Sequence, residues 1–213
     1  QDNVRLGSPI ASVARTEDQV IVKPVEGAAE FFDEVVFASH ADQTLRMLAD
    51  PTREEREILE AFPYAPNEAV LHTDPKLLPK RRRAWASWNY RVAAGQQHNA
   101  SVTYDLSRLQ NHDSAVPILL TLNPTEEIDE KRILRTFSYH HPAYSDRSIA
   151  AQQRFQEISG RNRIHFCGAY WGYGFHEDGV NSALAVAQHF GIDLSACSAA
   201  SMKERSRIAV ASP

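Results

Sequence analysis

The chain has 213 residues, 43% of them hydrophobic and 23% charged, with a formal net charge of −4. That is the composition of one large globular domain or two small ones, and its acidity excludes a basic, nucleic-acid-coating protein. Two cysteines exclude a disulfide scaffold and a cysteine-rich zinc module.

The chain opens at Gln1, with neither Met nor a signal-like segment, and enters a strand pattern at once. This reads as a start inside a domain. No stretch approaches the roughly 18 to 20 apolar residues of a membrane-spanning helix. A cytoplasmic protein, or one attached peripherally to a membrane, is the expectation. Residues 9–15 and 19–25 read as two strands, joined as a hairpin through Thr16, Glu17 and Asp18. Residues 34–38 form a short apolar run, as in a strand buried on both faces. Ser39, three residues before Asp42, looks like a capping-box start, and Ala41, Leu45 and Leu48 follow at helical spacing. Thr52 with Glu55 opens a second helix carrying Ile58, Leu59 and Phe62, which Pro63 and Pro66 end.

Between 64 and 144 the character changes. Strand-like runs recur at 69–72, 84–92, 100–104, 117–122 and 133–139, separated by Pro, Asn and Asp clusters. This predicts an antiparallel sheet inserted between α/β segments. Residues 146–159 return to a helical pattern, with Ile149, Phe155 and Ile158 on one face and Gly160 at the end. A strand at 163–167 runs into a Gly/aromatic loop at 168–177, and a helix is predicted from Asp178 to Phe190, with Gly191 as its C′ residue. The tail after Leu194 is rich in Ser and Ala and reads as poorly ordered or weakly helical.

Glycine is scarce. Four of the nine, Gly168, Gly172, Gly174 and Gly179, fall within twelve positions. A strand feeding a glycine loop and then a helix N-terminus is an anion site in outline, because free N–H groups and the helix dipole favour negative charge. Asp178 can cap the helix. Gly179, Ser182 and Ala183 are small enough for a backbone or a flat ligand to come close. Tyr170, Trp171, Tyr173 and Phe175 either wall a planar ring or belong to the core. The spacing is not the dinucleotide fingerprint, since Glu177 stands where the third glycine belongs.

The run Phe166-Cys167-Gly168, followed by Glu177-Asp178-Gly179-Val180-Asn181-Ser182-Ala183, resembles the C-terminal FAD motif of flavin-containing amine oxidases and phytoene-desaturase-like enzymes. Further runs resemble a bacterial subgroup described as predicted NAD/FAD-binding, amine-oxidase-like proteins. These are Phe37 to Gln43, Trp85 to Tyr90, Val102 to Asp105, Leu122 to Pro124 and Cys167 to Gly179. The likeness covers about residues 3–192. It implies a mixed α/β fold: a partial, Rossmann-like FAD-binding domain with an inserted antiparallel or mixed β-sheet substrate domain. The corresponding boundaries are 1–62 and 156–194 for the FAD domain, 63–155 for the substrate domain and 195–213 for the tail.

The resemblance also implies FAD as cofactor and hydride transfer from a C–N or C–C bond to the flavin. Its cofactor-binding positions are Gly168, Ala169, Tyr170, Gly174, Phe175, His176, Glu177, Asp178, Gly179 and Val180. Asp178, Gly179 and Val180 occupy the family's Glu-Gly-Ala positions, and Ala183 replaces a frequent Gly. His176 is the candidate acid/base. The family's Gly-x-Gly-x-x-Gly and its ribose-binding acidic residue are absent from these residues. The chain therefore reads as a C-terminal portion that needs an N-terminal FAD-binding segment, inactive alone and holding FAD weakly or not at all.

Other constellations carry less. His140-His141 has no third ligand at zinc spacing, so no metal is expected. Lys76 with Lys80-Arg81-Arg82-Arg83 is either a solvated loop or a dock for an anionic headgroup or carboxylate. Trp85, Trp88 and Tyr90 make one strand face aromatic, for core packing or for substrate. Trp88, Tyr90, Arg82 and Arg83 are the substrate-binding candidates. His40 sits at a strand C-terminus, where ligands bind in open sheets, or simply starts a helix. No nucleophile elbow, Cys–His pairing or paired-carboxylate pattern stands out. The partner expected is a small molecule, an amine or an anionic lipid, with no nucleic acid. The alternatives are a non-catalytic lipid- or protein-binding module, or one half of a split flavoenzyme.

Overall fold

The computed structural model describes residues 4–92, 100–124, 128–192 and 208–211. The fold is mixed α/β with several sheets. Its contacts divide it into two units: Gln1–Tyr64 with Pro142–Pro213, and Ala65–His141.

In the first unit β1 (Ile10–Arg15) and β2 (Val20–Pro24) form the predicted hairpin, and β3 (Glu30–Phe32), which the sequence did not suggest, extends it to a three-stranded antiparallel meander. Then β4 (Glu34–Phe37) enters a parallel sheet and α1 (Ala41–Met47) follows. The residue that starts α1 is His40, not Ser39: Gln43 reaches back to the His40 N–H at 3.2 Å, while the Ser39 hydroxyl bonds Thr44 at 2.8 Å inside the core. The Thr52–Glu55 capping box opens α2 (Arg53–Leu59) as predicted, with both reciprocal bonds formed. Glu55 is buried, and its charge is met by Arg15 at 2.5 Å.

The chain returns to this unit at Pro142, earlier than the expected boundary at 155. The reason is packing. Ser148 donates to the Ala61 carbonyl at 2.7 Å, and Ala151 and Ile158 lie in the same core as α2. The predicted helix 146–159 is two pieces, α4 (Asp146–Gln152) and α5 (Phe155–Ile158), interrupted at Gln153 and Arg154. β10 (Ile164–Phe166) pairs in parallel with β4, register Ile164↔Val35 to Phe166↔Phe37. α6 runs His176–His189, starting two residues before the prediction. The tail differs most from expectation. Residues Ile208–Ala211 form β11, a third parallel strand on the other side of β4, giving the order β10-β4-β11. The apolar run Ile208-Ala-Val-Ala had the composition of a short buried parallel strand, but the Ser/Ala-rich approach to it suggested otherwise.

The second unit is one five-stranded sheet, order β6-β7-β8-β5-β9, from β5 (Tyr64–His72), β6 (Trp88–Val92), β7 (Ala100–Asp105), β8 (Leu119–Leu122) and β9 (Ile133–Pro142), with one helical turn, α3 (Leu106–Leu109). The β6/β7, β7/β8 and β5/β8 pairs are antiparallel, as the alternating runs predicted. One face carries Val70, His72, Thr103, Asp105, Leu119 and Thr121, all buried. Val70 packs there with Leu77 and Ile128. The Asp74 N–H donates to His72 Nδ1 at 3.1 Å, so the ring proton sits on Nε2. His72 Nε2 then donates to Thr121 Oγ1 at 2.7 Å, and the Thr121 and Thr103 hydroxyls share a hydrogen bond at 2.9 Å. Burial pushes the His72 pKa down, against the pull of Asp74.

Candidate functional site

β4 and β10 are neighbours in a parallel sheet, and the helices that follow them leave on opposite faces. Ala41 and Met47 of α1 pack with Val35, Phe37, Ile164 and Phe166 on one face. Val186 of α6 packs with Val36 and Cys167 on the other. Where adjacent connections diverge, the carboxyl ends of the strands leave a crevice, and open α/β sheets bind ligands there. The residues at that edge are Ser39 and His40 after β4, and Gly168 and Ala169 after β10. His40 is stacked on Tyr64, ring centroids 4.3 Å apart, and the Tyr64 hydroxyl accepts from the Ala41 N–H at 3.2 Å.

The loop 168–178 is held by side chains from within it and from either side of it. Gln152 Nε2 donates to the carbonyls of Tyr170 at 3.0 Å and Gly172 at 2.6 Å. Asp178 Oδ2 accepts the N–H groups of Tyr173 and Phe175, both at 2.9 Å. The Gly168 N–H donates to Ser182 Oγ at 2.9 Å, and that hydroxyl donates to the Gly179 carbonyl at 2.8 Å. Gln152 was not singled out in the sequence, and Ser182 was read there only as a small residue. Nothing in their spacing marks a side chain that reaches a loop 18 or 20 residues away.

The glycines have a reason in this loop. A Cβ on Gly168 would stand 2.5 Å from Tyr170 Cε1, and one on Gly172 would collide with the Asp178 carboxyl. Gly174, at φ +87°, would put a Cβ 3.0 Å from Tyr144 Oη. Three of the four clustered glycines thus make room for the protein's own side chains. Only Gly179 keeps ordinary clearance, 3.9 Å from Ala169.

The four aromatics do not share one wall. Tyr170 is 3% exposed and packs on Phe62, centroids 5.0 Å apart. Trp171 is half-buried between Phe62 and Phe155, at 5.4 and 4.9 Å. Tyr173 and Phe175 are exposed. Burial pushes the Tyr170 hydroxyl well above its ordinary pKa. Tyr170 is therefore a core residue, and the ring face expected of it is covered.

His176 and Glu177 begin α6 and are exposed. The N–H groups of Asp178 and Gly179 bond back to the Phe175 carbonyl at 3.1 and 3.2 Å. No acceptor among the described residues meets the N–H groups of His176 and Glu177. Val180, on the next turn, is half exposed. On the flank of α6 a cavity of about 240 Å³ is lined by Gln152, Phe155, Trp171, Asp178, Asn181 and Ser182. It is smaller than the roughly 300 to 1,000 Å³ of an ordinary small-molecule pocket.

In the second unit Arg82 and Arg83 lie in an exposed 3-10 turn, Arg82–Ala84, with the Arg82 guanidinium 5.2 Å from the Trp85 ring centroid. Trp88 and Tyr90 are 57% and 69% exposed on β6. The core-packing reading of these two is overturned: they face outward because the inward face of β6 is given to Asn89 and Arg91. Among the described residues no cluster of three or more His, Cys, Asp or Glu could hold a metal ion. Among them, too, no helix is long and apolar enough to cross a membrane.

No protein-family model matches the chain, and no curated protein does. Solved structures do. The CLA-producing fatty acid isomerase from P. acnes matches at TM-score 0.58 and 12% identity, over 87% of this chain and 48% of that one. A putrescine oxidase double mutant, made in a redesign of its cofactor binding, matches at 0.58 and 13% identity, over 90% and 50%. The wild-type putrescine oxidase bound to putrescine matches at 0.57 and 12% identity, over 89% and 49%. The fold is thus one shared with a portion of these proteins. The chain spans about half the length of each. The likeness first read from residues 166–183 is met at the level of fold.

Proposed function

We propose that the chain is the C-terminal part of an FAD-dependent oxidoreductase of the amine-oxidase and desaturase type. The observation that carries this reading is the divergence of α1 and α6 from the neighbouring parallel strands β4 and β10, within a fold shared with half of each of those structures. In this reading the first unit is a partial Rossmann-like FAD domain, and residues 65–141 are the inserted substrate domain.

FAD, when bound, supplies the acceptor for a hydride taken from a C–N or C–C bond. The residues present suit the flavin-ring end. The N–H groups of His176 and Glu177 offer donors and the positive end of a 14-residue helix to an electron-rich edge. Gly179 beside Ala169 keeps the first turn low, and Val180 presents an apolar surface. Gly168, Gly174, Phe175 and Asp178 set the loop rather than touch the ring, with Asp178 fixing the N–H groups that would otherwise compete. His176 is the candidate acid/base. Trp88, Tyr90, Arg82 and Arg83 belong to the substrate side, for a small molecule such as an amine or an anionic lipid. Among the described residues nothing suits the pyrophosphate and adenosine end, and in this reading an N-terminal segment, joined or separate, supplies it.

FAD titration tests this, read by flavin fluorescence and anisotropy. The chain alone binds weakly or not at all. Joined to its N-terminal segment it retains flavin, and Gly179→Trp in the joined protein lowers retention by more than tenfold. Stoichiometric flavin on the chain alone refutes the missing-segment reading. A joined protein without flavin supports the second reading, a non-catalytic lipid- or protein-binding module, which the exposed aromatics of β6 favour.

A further inference from the structure

The chain carries net negative charge, but the negative charge is not evenly spread. Between Asp74 and Asp105 there are six Lys and Arg residues and no Asp or Glu. The remainder of the protein therefore carries a net charge of −10. Lys80, Arg81, Arg82 and Arg83 are consecutive and exposed. Among the described residues none of the four makes an ion pair, although most other arginines of the chain do.

The strand that follows is β6, at the edge of the second unit's sheet. Its outward residues Trp88, Tyr90 and Val92 are each more than half exposed. The cross-strand register continues this face through Tyr104 and Val102 to Leu120 and Leu122, with Leu71 beyond. Leu71, Val102, Tyr104, Leu120 and Leu122 are half-buried, and none of the residues named on this face from β6 to β5 is charged. Large exposed apolar faces next to unpaired like charges mark an interaction site. A tryptophan and a tyrosine at the rim of an aliphatic face, beside four cations without an ion pair among the described residues, match the headgroup boundary of an anionic bilayer. Single-stranded nucleic acid also takes cations and aromatics, but it needs polar groups for bases beside the stacking rings. Here the rings give way to Val and Leu.

We propose that the turn 80–83 and the outward face of β6 seat the protein on an anionic lipid surface, the guanidinium groups on phosphate and the Trp88 and Tyr90 rings in the interface. This deepens the second reading above and takes Arg82, Arg83, Trp88 and Tyr90 from the substrate side to a lipid surface; its test contains no flavin, so it fails or stands independently of the flavin reading.

The 213-residue chain is mixed with vesicles of phosphatidylcholine alone, or with about one third phosphatidylglycerol, and sedimented. The expected result is binding at least tenfold tighter to the anionic vesicles, weakened by salt. Arg81→Glu/Arg82→Glu/Arg83→Glu abolishes it, the Lys replacements at the same positions keep it, and Trp88→Ser/Tyr90→Ser weakens it about tenfold. Lys23→Glu, an exposed cation of the first unit, changes nothing. Circular dichroism confirms that the variants fold, since every altered side chain is solvent-facing. Equal binding to both vesicle types overturns the proposal, as does undiminished binding by the triple Glu variant. So does binding of monomeric oleate or of a single-stranded oligonucleotide through these residues when vesicles are not bound.

Discussion

The two units arrange polarity in opposite ways. In the first, the parallel strands β4 and β10 turn apolar side chains to both faces: Val35, Phe37, Ile164 and Phe166 to one core, Val36 and Cys167 to the other. In the second, the covered face of the sheet is lined by the His72–Thr121–Thr103 chain of hydrogen bonds, and the uncovered face by Trp88, Tyr90 and Val92. The difference teaches where function can sit. A strand apolar on both sides has no side chains to spare, so in the function proposed above the first unit would act through backbone, at strand ends and at a helix start. The second unit meets its buried polar groups internally, and its apolar side chains are left for something else.

The sharpest break comes from the doubly covered sheet. Phe166 is fully buried and stacked on Phe37, centroids 5.9 Å apart. Phe166→Ala should lower stability by about 3–5 kcal/mol in denaturant unfolding. A loss below about 1 kcal/mol would show that this core is not close-packed.

A smaller effect is expected in the second unit. Thr121→Val keeps the shape but removes the hydroxyl that accepts from His72 and bonds to the Thr103 hydroxyl. The two partners are left buried and unpaired, at a cost of about 1–3 kcal/mol. A stabilised Thr121→Val variant would mean that an apolar interior suits this face better.

The smallest effect links the units, because each buries one neutral histidine. Burial lowers the pKa of His72, and it lowers that of His165 against the pull of Glu34, whose carboxylate is 3.0 Å away. In the unfolded chain both take up protons near the ordinary pKa of about 6.5. Their stabilising effect is therefore complete above that pH and is lost as pH falls below it. Melting temperatures should fall from pH 7.5 to 5.5, and the fall should be shallower in His72→Gln. A melting temperature that rises on acidification would show that one of the two is charged in the folded state.

Much of this architecture is readable in the chain. The hairpin of β1 and β2, the run of β4, the Thr52–Glu55 cap and the succession of strands from β5 to β9 all follow from local pattern. The switch from helical to alternating periodicity falls near residue 64, where the contacts also divide, between Tyr64 and Ala65. Local pattern did not distinguish a glycine that admits a ligand from one that admits Tyr170 or Asp178, because that depends on side chains folding back from later positions. The outward turn of Trp88 and Tyr90 was equally hidden. Alternation says that two faces differ, and only the cover supplied by Leu77 and Ile128 says which is inside. The Arg15–Glu55 pair joins residues 40 positions apart, and nothing local foretells it.

The strand at Ile208–Ala211 has a practical bearing on how the protein is handled. It lies along Glu34–Phe37 and closes that side of the parallel sheet. Trimming the chain back to Ile192 bares a row of unpaired backbone groups on β4, the kind of strand edge through which copies of a protein stick to one another. Four residues that look dispensable thus govern whether a shortened version stays dispersed.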